Sequence, residues 1–177
     1  MTTEHIAAAM ERVQTVLRRR PEMGLHDDAP ATATWQGDTR VVVGHGNGTR
    51  LPTDMPTELG GSGDQVTPGW LFRAGLASCA TTSIALTAAA QGVALSALEV
   101  RVSSRSDARG QFGMADERGE PVGAGPSDVT MSVRIAAPGV APERLRALVE
   151  TGCRCSPVPN AVERATPVEL RIDVDAG

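Results

Sequence analysis

The chain has 177 residues, a formal charge of -4 and a pI of about 5.4, which fits one ordinary domain and excludes the clustered basic surface of a nucleic-acid binder. Hydrophobic residues reach 41% while aromatics reach only 2%, with no tyrosine, so Ala, Val, Leu, Ile and Met must build the core and self-association would supplement its modest burial. Cys79, Cys153 and Cys155 are an odd set without a CxxC, which predicts neither a disulfide framework nor, with His5, His26 and His45 all remote from them, a metal site.

Residues 3 to 19 predict a helix, with Ile6, Met10, Val13 and Leu17 on one narrow face. Thr2 or Thr3 caps it, Pro21 and Gly24 stop it, and Arg18, Arg19 and Arg20 complement its C-terminal dipole. The segment before Arg12 carries Glu4 and Glu11 and has no signal-peptide core. No membrane span is expected from the apolar runs, and the expected location is cytoplasmic. Residues 25 to 30 read as a linker, so 1–30 form an extension and 31–177 the domain proper.

Ala31–Gln36 and Arg40–Val43 predict short strands around the Gly37-Asp38 turn. Gly44, Gly46 and Gly48 read as a second turn; Pro52 follows where a phosphate loop would need a helix. Residues 52 to 68 read as a long polar loop, a length that usually signals function or an interface.

The clearest element is a helix opened by Thr67 as N-cap and Pro68 as first residue, running to Ala90 before Gly92. It is apolar on nearly every face, which predicts burial all round. Leu95–Ser104 and Val129–Ala137 alternate as strands, with Asp107–Gly125 a polar connection between them. Pro142 and Glu143 open another helix, read as ending at Gly152. Cys153–Asn160 reads as a proline-punctuated turn, and Val168, Leu170, Ile172 and Val174 as a final strand. The element order is α+β.

Cys79 lies about three turns into the central helix, beyond the reach of the helix dipole. Its residue type fits either a small core hydrophobe or a nucleophilic thiolate that a neighbouring cation would have to activate. A hydrolase is disfavoured: there is no GxSxG motif and no histidine near a nucleophile in sequence.

The run Thr67-Pro68-Gly69-Trp70-Leu71-Phe72-Arg73-Ala74-Gly75-Leu76-Ala77-Ser78-Cys79 resembles the signature of the OsmC/Ohr family, as do Asp54-Met55-Pro56 with Gly60-Gly61, Gly92-Val93-Ala94-Leu95 and Cys155-Ser156-Pro157-Val158-Pro159-Asn160. The likeness spans about Ala31 to Asp175. It implies an OsmC-like fold of antiparallel strands around a buried central helix, in an intertwined homodimer. It also implies a thiol peroxidase without a cofactor. In that family a first cysteine, matching Cys79, is oxidised by a hydroperoxide and resolved by a second, and a thiol or dithiol restores the pair.

Three positions depart from the pattern. Gly69 stands where the family has a glutamate. Ser156 directly precedes Pro157 where the family has its resolving cysteine, which leaves Cys155, or Cys153, as the nearest thiol. Gly37 falls near the place of the activating arginine, with Arg40 and Arg73 as substitutes. The expected catalytic set is Cys79, Cys155 and Arg40. A non-catalytic member that binds a small apolar ligand or a redox partner is the alternative.

Overall fold

A computed structural model describes residues 3–175 of the chain. Helix α1 (Thr3–Arg19) matches the sequence expectation and docks on α2 (Pro68–Ala90). The expected cap at Thr2 lies outside the described residues, and Thr3 is already helical.

Strands β1 (Thr32–Trp35), β2 (Val41–Gly44) and β3 (Arg50–Thr53) form an antiparallel sheet in the order β1-β2-β3. The sequence reading missed β3, because Pro52 suggested loop. Pro52 pairs opposite Val42 on an edge strand, where a proline can sit without breaking a ladder on its outer side. The Gly44–Gly48 segment is the expected turn, closed by the His45 N–H donating to Thr49 O.

Helix α2 begins as expected. The Thr67 hydroxyl accepts from the Trp70 N–H, and Pro68 occupies the first turn. Its burial differs from expectation. Ala80, Ile84 and Ala88 are at most 1% exposed, whereas Trp70 is 47% and Leu86 37% exposed. A sequence apolar on all faces fixes no partner for each of them, and within this chain α1, the strand at Ala97–Arg105 and the helices at Pro142–Arg154 and Pro157–Glu163 leave part of the surface open. By length and composition α2 is also long and apolar enough to cross a bilayer, contrary to the sequence reading. Its buried Ala80–Ile84–Ala88 face packs as a core helix does.

Strands β4 (Ala97–Arg105) and β5 (Ser127–Ala136) form an antiparallel pair with Leu98 opposite Ile135 and Val100 opposite Val133. Their alternating inner residues join Ile84, Ala88 and Val93 from the central helix and its exit. Helix α4 (Pro142–Arg154) adds Leu145 and Leu148 to that core. The connection 107–125 is mostly irregular and includes the short α3 (Ala108–Gln111).

Two expectations near the C-terminus are corrected. Gly152 does not end α4, which runs to Arg154. Gly152 is buried, and a Cβ there would stand 2.7 Å from the Ile84 Cα, so the glycine serves the close approach of α4 and α2 rather than termination. Cys153–Asn160 is not an open turn. It is the end of α4 followed by α5 (Pro157–Glu163), with Pro157 at the first helical position.

The expected final strand is absent from the described residues. Val168, Leu170, Ile172 and Val174 are 73–93% exposed and pair with neither sheet. Alternation defines the two faces of a strand but names no neighbour to receive it. The fold class is α+β with antiparallel strands, as the sequence indicates.

Candidate functional site

The sulfur of Cys79 meets the start of α5. The Ser156 hydroxyl donates to Cys79 Sγ at 3.2 Å, and the Val158 backbone N–H donates to the same sulfur at 3.4 Å. Ser156 is fully buried, while Cys79 is half-buried. Serine is a favoured N-cap residue, yet Ser156, at the N-cap of α5, makes no side-chain cap hydrogen bond; its hydroxyl points to the sulfur instead.

Asn160 braces this turn. Its side-chain amide donates to Arg154 O and to Ser156 O, both at 2.9 Å. The Ser156 N–H donates to Cys153 O, so both ends of the segment are anchored. Two donors therefore converge on one sulfur, and such hydrogen bonds strengthen when the acceptor carries negative charge.

The other thiols lie elsewhere. Cys153 packs against the core beside Leu148. Burial pushes its thiol pKa up, and the charge of Glu163 adds to that, which makes it a poor nucleophile near neutrality. Cys155 is exposed, at the C-cap of α4, in a groove with Met10 and Gln14 of α1 and Ser83 and Leu86 of α2. The hydrogen bonds of Cys79 go to Ser156 and Val158, so within this chain it is Ser156, and not Cys155, that faces the sulfur.

Arg40 is held by another set of groups. Its Nη2 donates to Asp64 at 2.8 Å, to the Ser62 hydroxyl at 2.7 Å and to Asp54 at 3.3 Å. Hydrogen bonding and charge from Asp64, and then the charge of Asp54, raise the pKa of its guanidinium. Asp54 is only 3% exposed. Hydrogen bonds from the Ser62 hydroxyl, the Thr39 hydroxyl and the Ser62 and Met55 backbone hold its carboxyl far below the usual carboxylate range. Through these bonds Arg40 ties the loop after β3 to the β1–β2 turn. Sequence reasoning missed Asp54, Ser62 and Asp64 as its partners. The only hint was the Asp-Met-Pro and Gly-Gly pattern of that loop.

A lowered carboxyl pKa has a consequence for stability. The contribution of Asp54 is complete above the ordinary carboxylate pKa, about 3.9, and is lost as pH falls through the lowered folded value. Asp54→Asn is therefore expected to lower the urea midpoint at pH 6 and to narrow its deficit against the parent at pH 3. An equal deficit at both pH values would contradict this account.

Arg73 lies on α2 one turn after Gly69, with its Nη1 donating to Ser104 Oγ at 3.4 Å. No group of three or more His, Cys, Asp or Glu side chains able to hold a metal occurs among the described residues.

The family model for OsmC-like protein matches residues 61–171, which is most of the chain and contains both Cys79 and Ser156. The chain belongs to the OsmC-like family. Its low identity to solved members marks it as divergent. An OsmC-like protein from Mycoplasma pneumoniae is 15% identical with a TM-score of 0.64, covering 78% of this chain and 89% of that one. An organic hydroperoxide resistance protein from Elizabethkingia anophelis is 23% identical with a TM-score of 0.56, over 78% and 89% of the two chains. One from Legionella pneumophila is 25% identical with a TM-score of 0.52, over 78% and 90%. No curated protein sequence matches the chain.

Proposed function

We propose that the protein reduces hydroperoxides through Cys79 and relies on an external thiol to complete the cycle. The observation that carries this reading is the Cys79 sulfur receiving both the Ser156 hydroxyl and the Val158 N–H. Membership of a family that includes hydroperoxide resistance proteins supports the peroxide-related role. The thiolate attacks the terminal peroxide oxygen, the O–O bond breaks, and the departing alkoxide takes up the proton released when the thiol ionised, leaving as an alcohol. The resulting sulfenic acid takes one external thiol, releasing water and giving a mixed disulfide. A second external thiol then frees Cys79 and leaves as the oxidised disulfide.

The two donors hold the sulfur in place during attack, and Ser156, having no thiol, leaves resolution to the reductant. A homodimer is the proposed working unit. The exposed Trp70 and Leu86 on α2 and the exposed Val168, Leu170, Ile172 and Val174 leave apolar surface for a second copy.

Addition of one equivalent of cumene hydroperoxide to the reduced protein is expected to produce a dimedone-reactive sulfenic acid at Cys79, found by peptide mass spectrometry. Cys79→Ser should abolish it, and turnover with it, whereas Cys155→Ser should change the rate by less than about twofold, since an exposed thiol elsewhere makes no contact with the reacting sulfur. A Cys79 left unmodified in the folded protein under excess peroxide would end this reading in favour of a binding role.

A further inference from the structure

A groove of about 330 Å³ runs between α1, the second half of α2 and the end of α4, within the roughly 300–1,000 Å³ usual for small-molecule sites. Cys155 lines it with its thiol exposed. Three hydroxyls line it as well, and two of them are accounted for. Thr87 donates to Ser83 O and Thr151 to Ala147 O, both at 2.8 Å. The third, Ser83, is only 9% exposed, and its hydroxyl makes no hydrogen bond among the described residues. A hydroxyl so buried ordinarily has a partner, and the groove it lines is the place for one.

Two cations border the same groove. Arg18 donates to the Gln14 side-chain oxygen at 3.3 Å, and Arg154 donates to the Thr151 hydroxyl at 3.0 Å. Gln14 and Thr151 both line the groove. Among the described residues neither guanidinium has a carboxylate within ion-pair distance. Glu4 and Glu11 of α1 line the adjoining cavity, which includes neither Ser83 nor Cys155. An exposed thiol, a buried hydroxyl without a partner and two unpaired guanidinium groups around one groove match a small molecule that carries both sulfur and carboxylates.

We propose that Cys155 is a site of reversible S-thiolation, in which it exchanges with the disulfide of a small thiol bearing carboxylates. The body of that molecule lies in the groove against Ser83, with its carboxylates on Arg18 and Arg154. The ionised Cys155 sulfur attacks one sulfur of the disulfide, the old S–S bond breaks as the new one forms, and the departing thiolate takes up the proton that Cys155 released. This exchange goes beyond the peroxide reaction and does not depend on it, since neither Cys79 nor Ser156 lines the groove.

The reduced full chain is treated with oxidised glutathione and, separately, with cystamine, whose disulfide carries amines in place of carboxylates. Peptide mass spectrometry scores Cys155 apart from Cys79 and Cys153. Each rate is divided by that of the same disulfide with free cysteine. Cys155 is expected to favour oxidised glutathione by at least about tenfold, the scale of one charge-assisted hydrogen bond. Arg18→Gln combined with Arg154→Gln, both at exposed positions, should remove the preference. Ser83→Ala should slow the reaction with oxidised glutathione by about fivefold, as expected for one neutral hydrogen bond. A Cys155 that stays unmodified, a preference short of tenfold, a preference that survives in the double variant, or a Ser83→Ala protein that reacts as fast as the parent overturns the proposal.

Discussion

Gly152→Ala is expected to lower the melting temperature by several degrees, the largest loss from any single added methyl group in the α2–α4 contact. The added Cβ would stand 2.7 Å from the Ile84 Cα, 2.9 Å from its Cγ1 and 3.0 Å from its backbone nitrogen. Two of those atoms belong to the backbone of α2, so no rotamer change relieves the contact and one helix must move. Ile84 is fully buried at the centre of the core with Leu145 and Leu148, and the shift would open gaps around all three. Overpacking of this kind costs about 1–3 kcal/mol. For a chain of this size each kcal/mol corresponds to roughly 2–4 °C. The intrinsic helix preference for alanine over glycine, about 1 kcal/mol, acts in the opposite direction. Gly75→Ala isolates that opposing effect, since a Cβ at Gly75 of the same central helix meets nothing within 4 Å. It should raise the melting temperature slightly. A Gly152→Ala protein as stable as the Gly75→Ala protein would show that α4 can move away from α2 without loss.

The contrast between these two glycines shows what the sequence makes legible. The helix around Gly75 could be read from its Thr67 cap, Pro68 and small apolar residues, because those signals are local. Gly152 reads locally as a stop, since its reason lies 68 positions away at Ile84. The strands β4 and β5 were legible from alternation, and their outcome matches because each supplies the other's partner. The segment 168–174 carries the same alternation with no strand partner among the described residues, and it stays unpaired there. At the site, Cys79 stands out in its motif, and Arg40 stands out as a nearby cation. The destination of Arg40 depends on Asp54, Ser62 and Asp64, which only the folding of the loop after β3 brings to it. Ser156 was legible as a departure from the family pattern, but sequence could not show that its hydroxyl points at the Cys79 sulfur.

That hydroxyl leads to the second large effect: Ser156→Cys is expected to give a protein that forms an internal disulfide with Cys79 on treatment with one equivalent of hydroperoxide. Ser156 Oγ already lies 3.2 Å from Cys79 Sγ, and a thiol in its place, with its longer carbon–sulfur bond, starts within reach of the peroxide-oxidised sulfur. The substituted residue also sits on a braced backbone, with its N–H donating to Cys153 O and its carbonyl accepting from Asn160. Little conformational freedom is therefore lost on closure. The sulfenic acid at Cys79 would condense with the introduced thiol, releasing water. The reaction would need no external thiol until the disulfide is reduced. The bond would link positions separated by 77 residues, and a loop of that length predicts about 4 kcal/mol of stabilisation on the chain-entropy account. The oxidised variant should therefore melt well above its reduced form, while the parent shows no comparable gain. Peptide mapping should find the new link in full yield, and adding Cys155→Ser should not reduce it, because Cys155 is exposed in the groove beside α1. A link from Cys79 to Cys155 in the parent protein would instead mean that the α4–α5 turn rearranges on oxidation. In that case the two-cysteine cycle would operate here through the neighbouring thiol.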